Sequence, residues 1–175
     1  MDTATLAGGC FWCTEAVFRR LKGVGSVLPG YSGGEGPEPT YEQVCSGKTG
    51  YAEAIQIGFD PALISYETLL GVFFKLHDPT TLNRQGADVG TQYRSAIFYN
   101  DATQRETAER VKQAVAASGV YRAPVVTEIV PYVTFYAAED YHQEFYERNS
   151  AAAYCQAVID PKIEKLYKDF GALTT

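Results

Sequence analysis

The sequence contains few of the residues and patterns that several functional classes require. Its 175 residues include one methionine and two histidines, and no apolar run is long enough to cross a bilayer. The histidines and the four cysteines are scattered without the spacing of a zinc site. Neither the Gly-x-Gly-x-x-Gly dinucleotide fingerprint nor a phosphate-binding loop occurs. These absences argue against a zinc site, a bound nucleotide and a membrane-spanning protein.

Charge and composition narrow the class further. The net charge of −6 and the pI near 4.9 argue against nucleic acid or an anionic membrane as the main partner. Apolar residues make up 46% and charged residues 21%, as in ordinary soluble globular proteins. No repeat, low-complexity tract or linker divides the sequence, so we expect one domain over residues 1–175 and a monomer. A strand is predicted to begin within three residues of the N-terminus, which leaves no room for a signal peptide and favours a cytoplasmic protein.

The stretch Gly8–Cys13, Gly-Gly-Cys-Phe-Trp-Cys, is the most informative part of the sequence. A β-type run precedes it and a helix-like run follows, and two glycines permit a tight turn between them. Cys10 is therefore predicted at the start of a helix, where free N–H groups and the helix dipole lower a thiol's pKa. Phe11 and Trp12 place two aromatic rings beside it, and both are predicted to bind the substrate, because an aromatic wall beside a thiolate suits a small apolar group that carries an electrophilic atom. Cys13 lies one helical turn further on, within reach of a disulfide with Cys10.

A single free cysteine is more often a small buried hydrophobic residue than a nucleophile. Here the paired glycines, the Cys-x-x-Cys spacing and the adjacent rings together favour a reactive thiol. The four cysteines, at 10, 13, 45 and 155, could instead form two structural disulfides. Without an export signal, transiently reacting thiols are the better prediction.

Hydrophobic periodicity and turn residues predict a chain in which strands and helices alternate. The predicted strands are 3–7, 23–28, 54–59, 93–99 and 125–130. The predicted helices are 14–21, 65–77, 101–118, 138–148 and a final one that opens at Asp160 and Pro161. Residues 29–40 and 80–92 are predicted loops, and Tyr154 and Cys155 fall in an irregular stretch. This order predicts a two-layer α/β sandwich, and a β-α-β-β-α-β unit as in ferredoxin-like folds fits it.

Gly-Cys-Phe-Trp followed by a helix resembles the signature of the peptide methionine sulfoxide reductase A family. Further motifs, among them 83–95 and 139–143, extend the resemblance from Gly8 to Lys165. The resemblance implies an α+β fold: a two-layer sandwich with a mixed sheet, a ferredoxin-like core and the reactive cysteine at the first helix. It also implies an oxidoreductase that reduces methionine S-sulfoxide, free or in oxidised proteins, to methionine through a Cys10 sulfenic acid, as repair after oxidative damage.

The resemblance assigns further site residues. Glu53, at the entry to the predicted strand 54–59, corresponds to the family's proton donor, although spacing alone favours a solvated strand-end glutamate. Tyr51 replaces the histidine usual in this motif, Gly-His-Ala-Glu-Ala. Tyr41 and Tyr93 are implied to bind the sulfoxide oxygen, and Asp88 to order the pocket. Without the resemblance, both tyrosines would be ordinary half-buried aromatics.

Two cysteines are candidates to resolve the oxidised thiol. Cys13 is one turn from Cys10, and Cys155 matches the C-terminal segment in which relatives keep a recycling thiol. Cys155 is interpreted as a resolving or relay cysteine, with Cys13 also able to serve. Cys45 is interpreted as a structural thiol. His142 is a supporting residue in this interpretation, because a lone helical histidine is more often structural than catalytic.

No bound cofactor is expected, because thiols carry both electrons. The family resemblance implies thioredoxin, or dithiothreitol (DTT) in vitro, as the external reductant. Two other functions stay open at this point. A thioredoxin-like disulfide oxidoreductase would need Cys10 and Cys13 but not Glu53, Tyr41 or Tyr93. A non-catalytic module that captures a methyl-bearing side chain would tolerate Cys10→Ser in binding and would consume no reductant.

Overall fold

The computed structural model describes all 175 residues. Eight strands are present, six in one sheet and two in a separate hairpin. In chain order they are β1 (Asp2–Gly8), β2 (Val24–Ser32), β3 (Ala52–Phe59), β4 (Arg84–Gln85), β5 (Asp88–Val89), β6 (Ser95–Tyr99), β7 (Glu128–Pro131) and β8 (Phe135–Ala137). The short β4–β5 hairpin lies within the predicted loop 80–92.

Six α-helices accompany the sheet, and none is long and apolar enough to span a membrane. They are α1 (Phe11–Phe18), α2 (Tyr41–Cys45), α3 (Tyr66–Leu76), α4 (Ala102–Ala117), α5 (Phe145–Asn149) and α6 (Asp160–Phe170). The side chains of Ser65 and Asp101 cap α3 and α4 by accepting hydrogen bonds from backbone N–H groups, as their position before each apolar pattern predicts. A π-helical turn, Cys155–Ile159, leads into α6.

The sheet order is β7-β6-β1-β3-β2-β8, and all neighbours are antiparallel except the parallel pair β6 and β7. The four central strands are connected as β1-α1-β2-β3-α3-β6. The predicted mixed sheet and α+β class are therefore confirmed. Because β1 lies between β3 and β6, the chain leaves the centre of the sheet directly into Gly9 and Cys10.

The main core has 25 buried residues between the sheet and the helices. Ile55 and Ile57 of β3 are completely buried, and they pack with the apolar face of α3 that Leu69 and Phe73 represent. Burial of each such side chain stabilises the fold by roughly 1.5–3 kcal/mol. This core fixes β1 and β3 relative to each other, which matters because the candidate site residues lie at their ends.

Several predicted boundaries are wrong. Helix α1 begins three residues before the predicted 14–21, because it is buried on most sides and lacks the one-sided pattern used to place it. Strand β2 continues to Ser32 into the predicted loop 29–40. Tyr93 lies in a 3₁₀ turn rather than in the strand 93–99, and the last predicted strand starts at Glu128 instead of residue 125.

The region after β7 departs most from the prediction. The predicted helix 138–148 is instead a 3₁₀ turn, Asp140–His142, followed by the short α5. The strand β8 that precedes it pairs with β2. Tyr154 and Cys155 are helical, not irregular, since the chain passes through the π-helical turn into α6. Contacts with α1 and β2 determine the secondary structure of this region, and these contacts leave no periodic pattern in the local sequence.

Candidate active site

The turn between β1 and α1 places Cys10 as the sequence predicts. Gly9 has a positive φ of 92°, and a Cβ there would lie 2.6 Å from Cγ of Gln85, so glycine is required on both grounds. Cys10 is the residue before the first turn of α1, and its carbonyl accepts hydrogen bonds from the N–H groups of Cys13 and Thr14 at 3.1 and 3.4 Å. Its residue surface is only 8% exposed.

The two thiols of this turn influence each other's pKa, and all four cysteines are free. Burial raises the pKa of Cys10 well above its usual range, and the neighbouring Cys13 and Glu53 raise it further. The hydrogen bond from Cys10 lowers the pKa of Cys13 to about 7, with Lys162 and Tyr154 acting in the same direction. The expectation that the helix start lowers the pKa of Cys10 is wrong for the reduced protein. Burial dominates, and the Cys10 side chain makes no capping hydrogen bond.

Glu53 is the second residue of β3, and it is buried instead of solvated, with only 1% of it exposed. Its Oε1 accepts a hydrogen bond of 3.1 Å from the backbone N–H of Phe11, the residue after Cys10. Its Oε2 is buried without a partner among the protein atoms. Burial raises the pKa of Glu53 to about 8. The carboxyl group is therefore held beside the thiol and carries a proton at neutral pH.

Tyr41 and Tyr93 come from different elements, the start of α2 and the 3₁₀ turn Thr91–Tyr93, and both are half-buried. Burial raises the pKa of each phenol, and the charge of Glu53 raises it further, so both hydroxyls stay neutral donors near that carboxyl group. Tyr93 also packs against the apolar cluster that contains Cys10. The structure thus brings together Cys10, Glu53 and both tyrosines.

Of the two rings that follow Cys10, only Trp12 keeps an exposed part, because Phe11 is completely buried. The Trp12 ring stacks on Phe145 at a centroid distance of 3.7 Å, and its Nε1–H donates to Nδ1 of His142 at 3.0 Å. Phe11 lies against Tyr41 and His142, with centroid distances of 6.4 and 5.0 Å. His142 is thus buried and supports the aromatic wall that Phe11 and Trp12 form, as predicted from its sequence context.

A hydrogen-bonded chain absent from the sequence interpretation links Asp88 to the thiols. The hydroxyl of Tyr154 donates to Oδ2 of Asp88 at 3.1 Å and lies 3.6 Å from Sγ of Cys13. The Tyr154 ring also meets Trp12 edge-on at 5.8 Å. The sequence offers one signal for Tyr154, its place beside Cys155 in the C-terminal motif. Its reach to Asp88 depends on the docking of the C-terminal helix.

Cys155 is completely buried in the π-helical turn. It belongs to the same apolar cluster as Cys10 and Cys13, so all three candidate redox thiols lie in one region. Cys45 is exposed at the end of α2. Its interpretation as a structural thiol therefore has no burial to support it.

Glu139 is a second residue that sequence interpretation missed, although it lies within a quoted motif. Its two oxygens accept hydrogen bonds from the hydroxyl of Tyr31 at 2.9 Å and from the backbone N–H of Tyr41 at 3.1 Å. Glu139 thus ties α2 to the sheet and fixes the position of Tyr41. Nothing in the local pattern distinguishes it from a surface glutamate.

Tyr51, which replaces the family's histidine, is buried, and its hydroxyl donates to the carbonyl of Gly36 at 2.8 Å. No group of three or more His, Cys, Asp or Glu side chains in the structure is arranged to hold a metal ion. The chemistry that this arrangement can perform is nucleophilic attack by a thiol beside a proton-bearing carboxyl group, followed by disulfide formation.

Comparison with known proteins places this arrangement in a family. A family model described as peptide methionine sulfoxide reductase matches residues 2–173. A peptide methionine sulfoxide reductase MsrA from Sulfolobus acidocaldarius is 56% identical over 170 residues, which cover 97% of this chain and 96% of the relative.

Solved structures agree with this match. Reduced Mxr1 from Saccharomyces cerevisiae superposes with a TM-score of 0.81 at 35% identity, covering 88% of both chains. Mxr1 in complex with Trx2 matches with a TM-score of 0.57 at 26% identity, covering 82% of this chain and 84% of that one. By sequence, fold and the composition of its site, this chain belongs to the peptide methionine sulfoxide reductase family.

Proposed function

We propose that this protein reduces methionine sulfoxide, free or in oxidised proteins, to methionine, with the S epimer as its substrate. The observation that carries the proposal is the anchored carboxyl group of Glu53. One oxygen is bound to the N–H of Phe11, and the other is buried without a partner beside Cys10. A sulfoxide oxygen would supply the missing hydrogen-bond partner. The preference for the S epimer rests on the family alone.

In the reductive step, Cys10 attacks the sulfoxide sulfur. As the Cys10 sulfur bonds to the sulfoxide sulfur, its proton becomes acidic and passes to the thiolate of Cys13, whose pKa is about 7. Glu53 donates its proton to the sulfoxide oxygen. The S–O bond of the substrate breaks and an S–O bond forms at Cys10, so methionine leaves and Cys10 becomes a sulfenic acid.

The surrounding side chains bind the substrate in this proposal. Tyr41 and Tyr93, as neutral hydroxyls near Glu53, hydrogen-bond the sulfoxide oxygen. The exposed part of Trp12 lines the site for the S-methyl group. Phe11, being fully buried, supports Tyr41 and His142 from below rather than touching solvent.

Recycling requires a second thiol and an external reductant. Cys13 forms the first disulfide with Cys10, and Cys155, in the same cluster, relays it. Asp88 holds Tyr154 beside Cys13. Thioredoxin then reduces the disulfide, with DTT as a substitute in vitro. The solved complex of Mxr1 with Trx2 supports this choice of reductant.

The architecture allows two further assignments. The strand order β6-β1-β3-β2 with α1 and α3 on the connections supports classifying the centre as a ferredoxin-like core of a two-layer sandwich. We also propose that residues 1–175 act as a single domain and a monomer. A cytoplasmic location stays a prediction from the sequence.

The test is a single-turnover assay of the fully reduced protein without added reductant. Each epimer of methionine sulfoxide is offered separately, and methionine formed and thiols lost are counted. We expect one methionine and two lost thiols from the S epimer, and no methionine from the Cys10→Ser variant. Absence of methionine with either epimer would refute the proposal and favour a disulfide oxidoreductase that uses Cys10 and Cys13.

A further inference from the structure

The hydroxyl of Tyr154 lies between a carboxylate and a redox thiol. Its oxygen is 3.1 Å from Oδ2 of Asp88 and 3.6 Å from Sγ of Cys13. Since a carboxylate only accepts, the Tyr154 O–H donates to Asp88, and the lone pairs of its oxygen are free to accept the S–H of Cys13. Three separate elements, α1, β5 and the C-terminal helical segment, meet to make this chain.

We propose that Tyr154 and Asp88 form a proton relay that removes the proton of Cys13 after sulfoxide reduction, and so make Cys13 the first thiol to attack oxidised Cys10. The inference rests on the proposed function, because it requires a sulfenic acid at Cys10. Once Cys10 carries oxygen, it can no longer exchange a proton with Cys13 as a thiol. The Tyr154 oxygen is then the contact through which Cys13 can lose its proton.

The step balances without any oxidant or reductant from outside. The Cys13 proton moves to the Tyr154 oxygen as the Tyr154 proton moves to Asp88, which is half-buried and passes it to solvent. The Cys13 sulfur bonds to the Cys10 sulfur, and the S–O bond of the sulfenic acid breaks. The departing hydroxide takes one proton from solvent, which replaces the proton released through Asp88, and leaves as water.

The groups around Cys13 fit this assignment. Burial and the two thiols raise the pKa of Tyr154, so it passes a proton while staying neutral. The other titratable groups that face Cys13 or line the small cavity behind it are Cys10, Glu53, Asp88, His77 and Lys162. Of these groups, Lys162 carries the positive charge that stabilises the Cys13 thiolate. Cys155 lies among apolar residues, and burial raises its pKa, which makes it the slower first nucleophile.

The experiment uses the full chain carrying Cys155→Ser, so that only Cys13 can resolve Cys10. Reduced protein is mixed with the S epimer of free methionine sulfoxide, and methionine and thiols are followed in time across pH. Adding Tyr154→Phe should leave one methionine per protein but slow thiol loss about tenfold at pH 7. The pH at which the rate of thiol loss rises should also shift to a higher value. Asp88→Asn, which still accepts the hydrogen bond but cannot take the proton, should slow it similarly.

Tyr146→Phe is the matched control, because the Tyr146 ring packs against the same cluster but its hydroxyl donates to Asp160 instead of contacting the Cys13 thiol by a hydrogen bond. It should leave the rate of thiol loss unchanged. In a Cys13→Ser protein that retains Cys155, Tyr154→Phe should also have no effect. Equal thiol-loss rates with and without Tyr154→Phe, or the same slowing without Cys13, would overturn the relay. Absence of methionine from the unsubstituted protein would instead refute the proposed function.

Discussion

The two sides of Cys10 are built differently. On the sheet side, Glu53 is held rigidly in β3, almost completely buried, with one oxygen satisfied by the N–H of Phe11. On the helical side, Cys13 contacts Tyr154, which reaches the half-buried Asp88. One side ends in a buried acid without a second partner, and the other leads through hydrogen bonds toward solvent.

This difference matches two proton movements of opposite direction. The sulfoxide oxygen must receive a proton in a dry environment, and burial provides an acid with a pKa of about 8. The second thiol must instead lose a proton, which is easier along a chain that ends at a carboxylate near water. The same buried setting could not serve both steps, since it favours the neutral form of every acid within it.

Glu53→Gln removes the acid on the sheet side of Cys10 and has the largest expected effect. The amide keeps the hydrogen bond to Phe11 but has no acidic proton, so the rate of methionine formation should fall about 10²- to 10³-fold. Single-turnover assays with the S epimer measure the rate of methionine formation. Glu42→Gln, an exposed change nearby, is the control. A Glu53→Gln rate within threefold of normal would remove Glu53 from the proton-donor role.

The pH dependence of the same step tests the acid directly. Glu53 is protonated below its pKa of about 8, so its contribution is lost as pH rises through that value. The ratio of the unsubstituted rate to the Glu53→Gln rate should fall about tenfold between pH 7 and pH 9. Taking the ratio removes the ionisation of the thiols, which raises both rates with pH. A ratio that does not change would contradict the assignment.

The raised pKa also affects stability. Between the ordinary pKa of 4.5 and about 8, the folded protein binds a proton at Glu53 that the unfolded chain releases. Its contribution to the free energy of unfolding is therefore fully present below pH 4.5 and is lost as pH rises toward 8. Denaturant titrations across this range should show a shallower decline for Glu53→Gln.

Trp12→Phe tests the aromatic wall beside Cys10, which lies between the sheet side and the helical side of the site. The change removes the hydrogen bond to Nδ1 of His142 and part of the surface stacked on Phe145. We expect a fivefold to tenfold rise in KM, roughly 1 kcal/mol of lost binding, with a smaller change in kcat. Tyr141→Phe is the control, since Tyr141 lies beside His142 and its hydroxyl contacts only Glu139. A loss confined to kcat would argue against a substrate-binding wall.

The smallest expected effect concerns Tyr51, the departure from the family's histidine. Tyr51→Phe removes the hydrogen bond to Gly36 and should lower the free energy of unfolding by about 1 kcal/mol, with little change in methionine formation. The matched change Tyr66→Phe removes a buried hydroxyl without a partner among the protein atoms and should be neutral or stabilising. Denaturant unfolding compares them, and equal effects would contradict the role of the Gly36 bond.

Much of the site could be predicted because its signals are local or come in separated motifs. Gly9 and Cys10 lie at a strand–helix junction that composition alone indicates, and the caps at Ser65 and Asp101 follow from residue type. The family resemblance then implied roles for Glu53 and the two tyrosines. The predicted boundaries of α1 are wrong because a helix that is buried on most sides has no one-sided hydrophobic pattern.

The sequence by itself predicted Cys10 as the nucleophile, and it determined the position of Cys10 at a helix start and the family to which the chain belongs. Tertiary structure decided which thiols lie together, how deeply Glu53 is buried and which tyrosine reaches Cys13. These properties depend on pairs far apart in the chain: 42 residues separate Phe11 from Glu53, and 66 separate Asp88 from Tyr154. Burial and nearby charge set pKa values, and both exist only once distant segments have packed together.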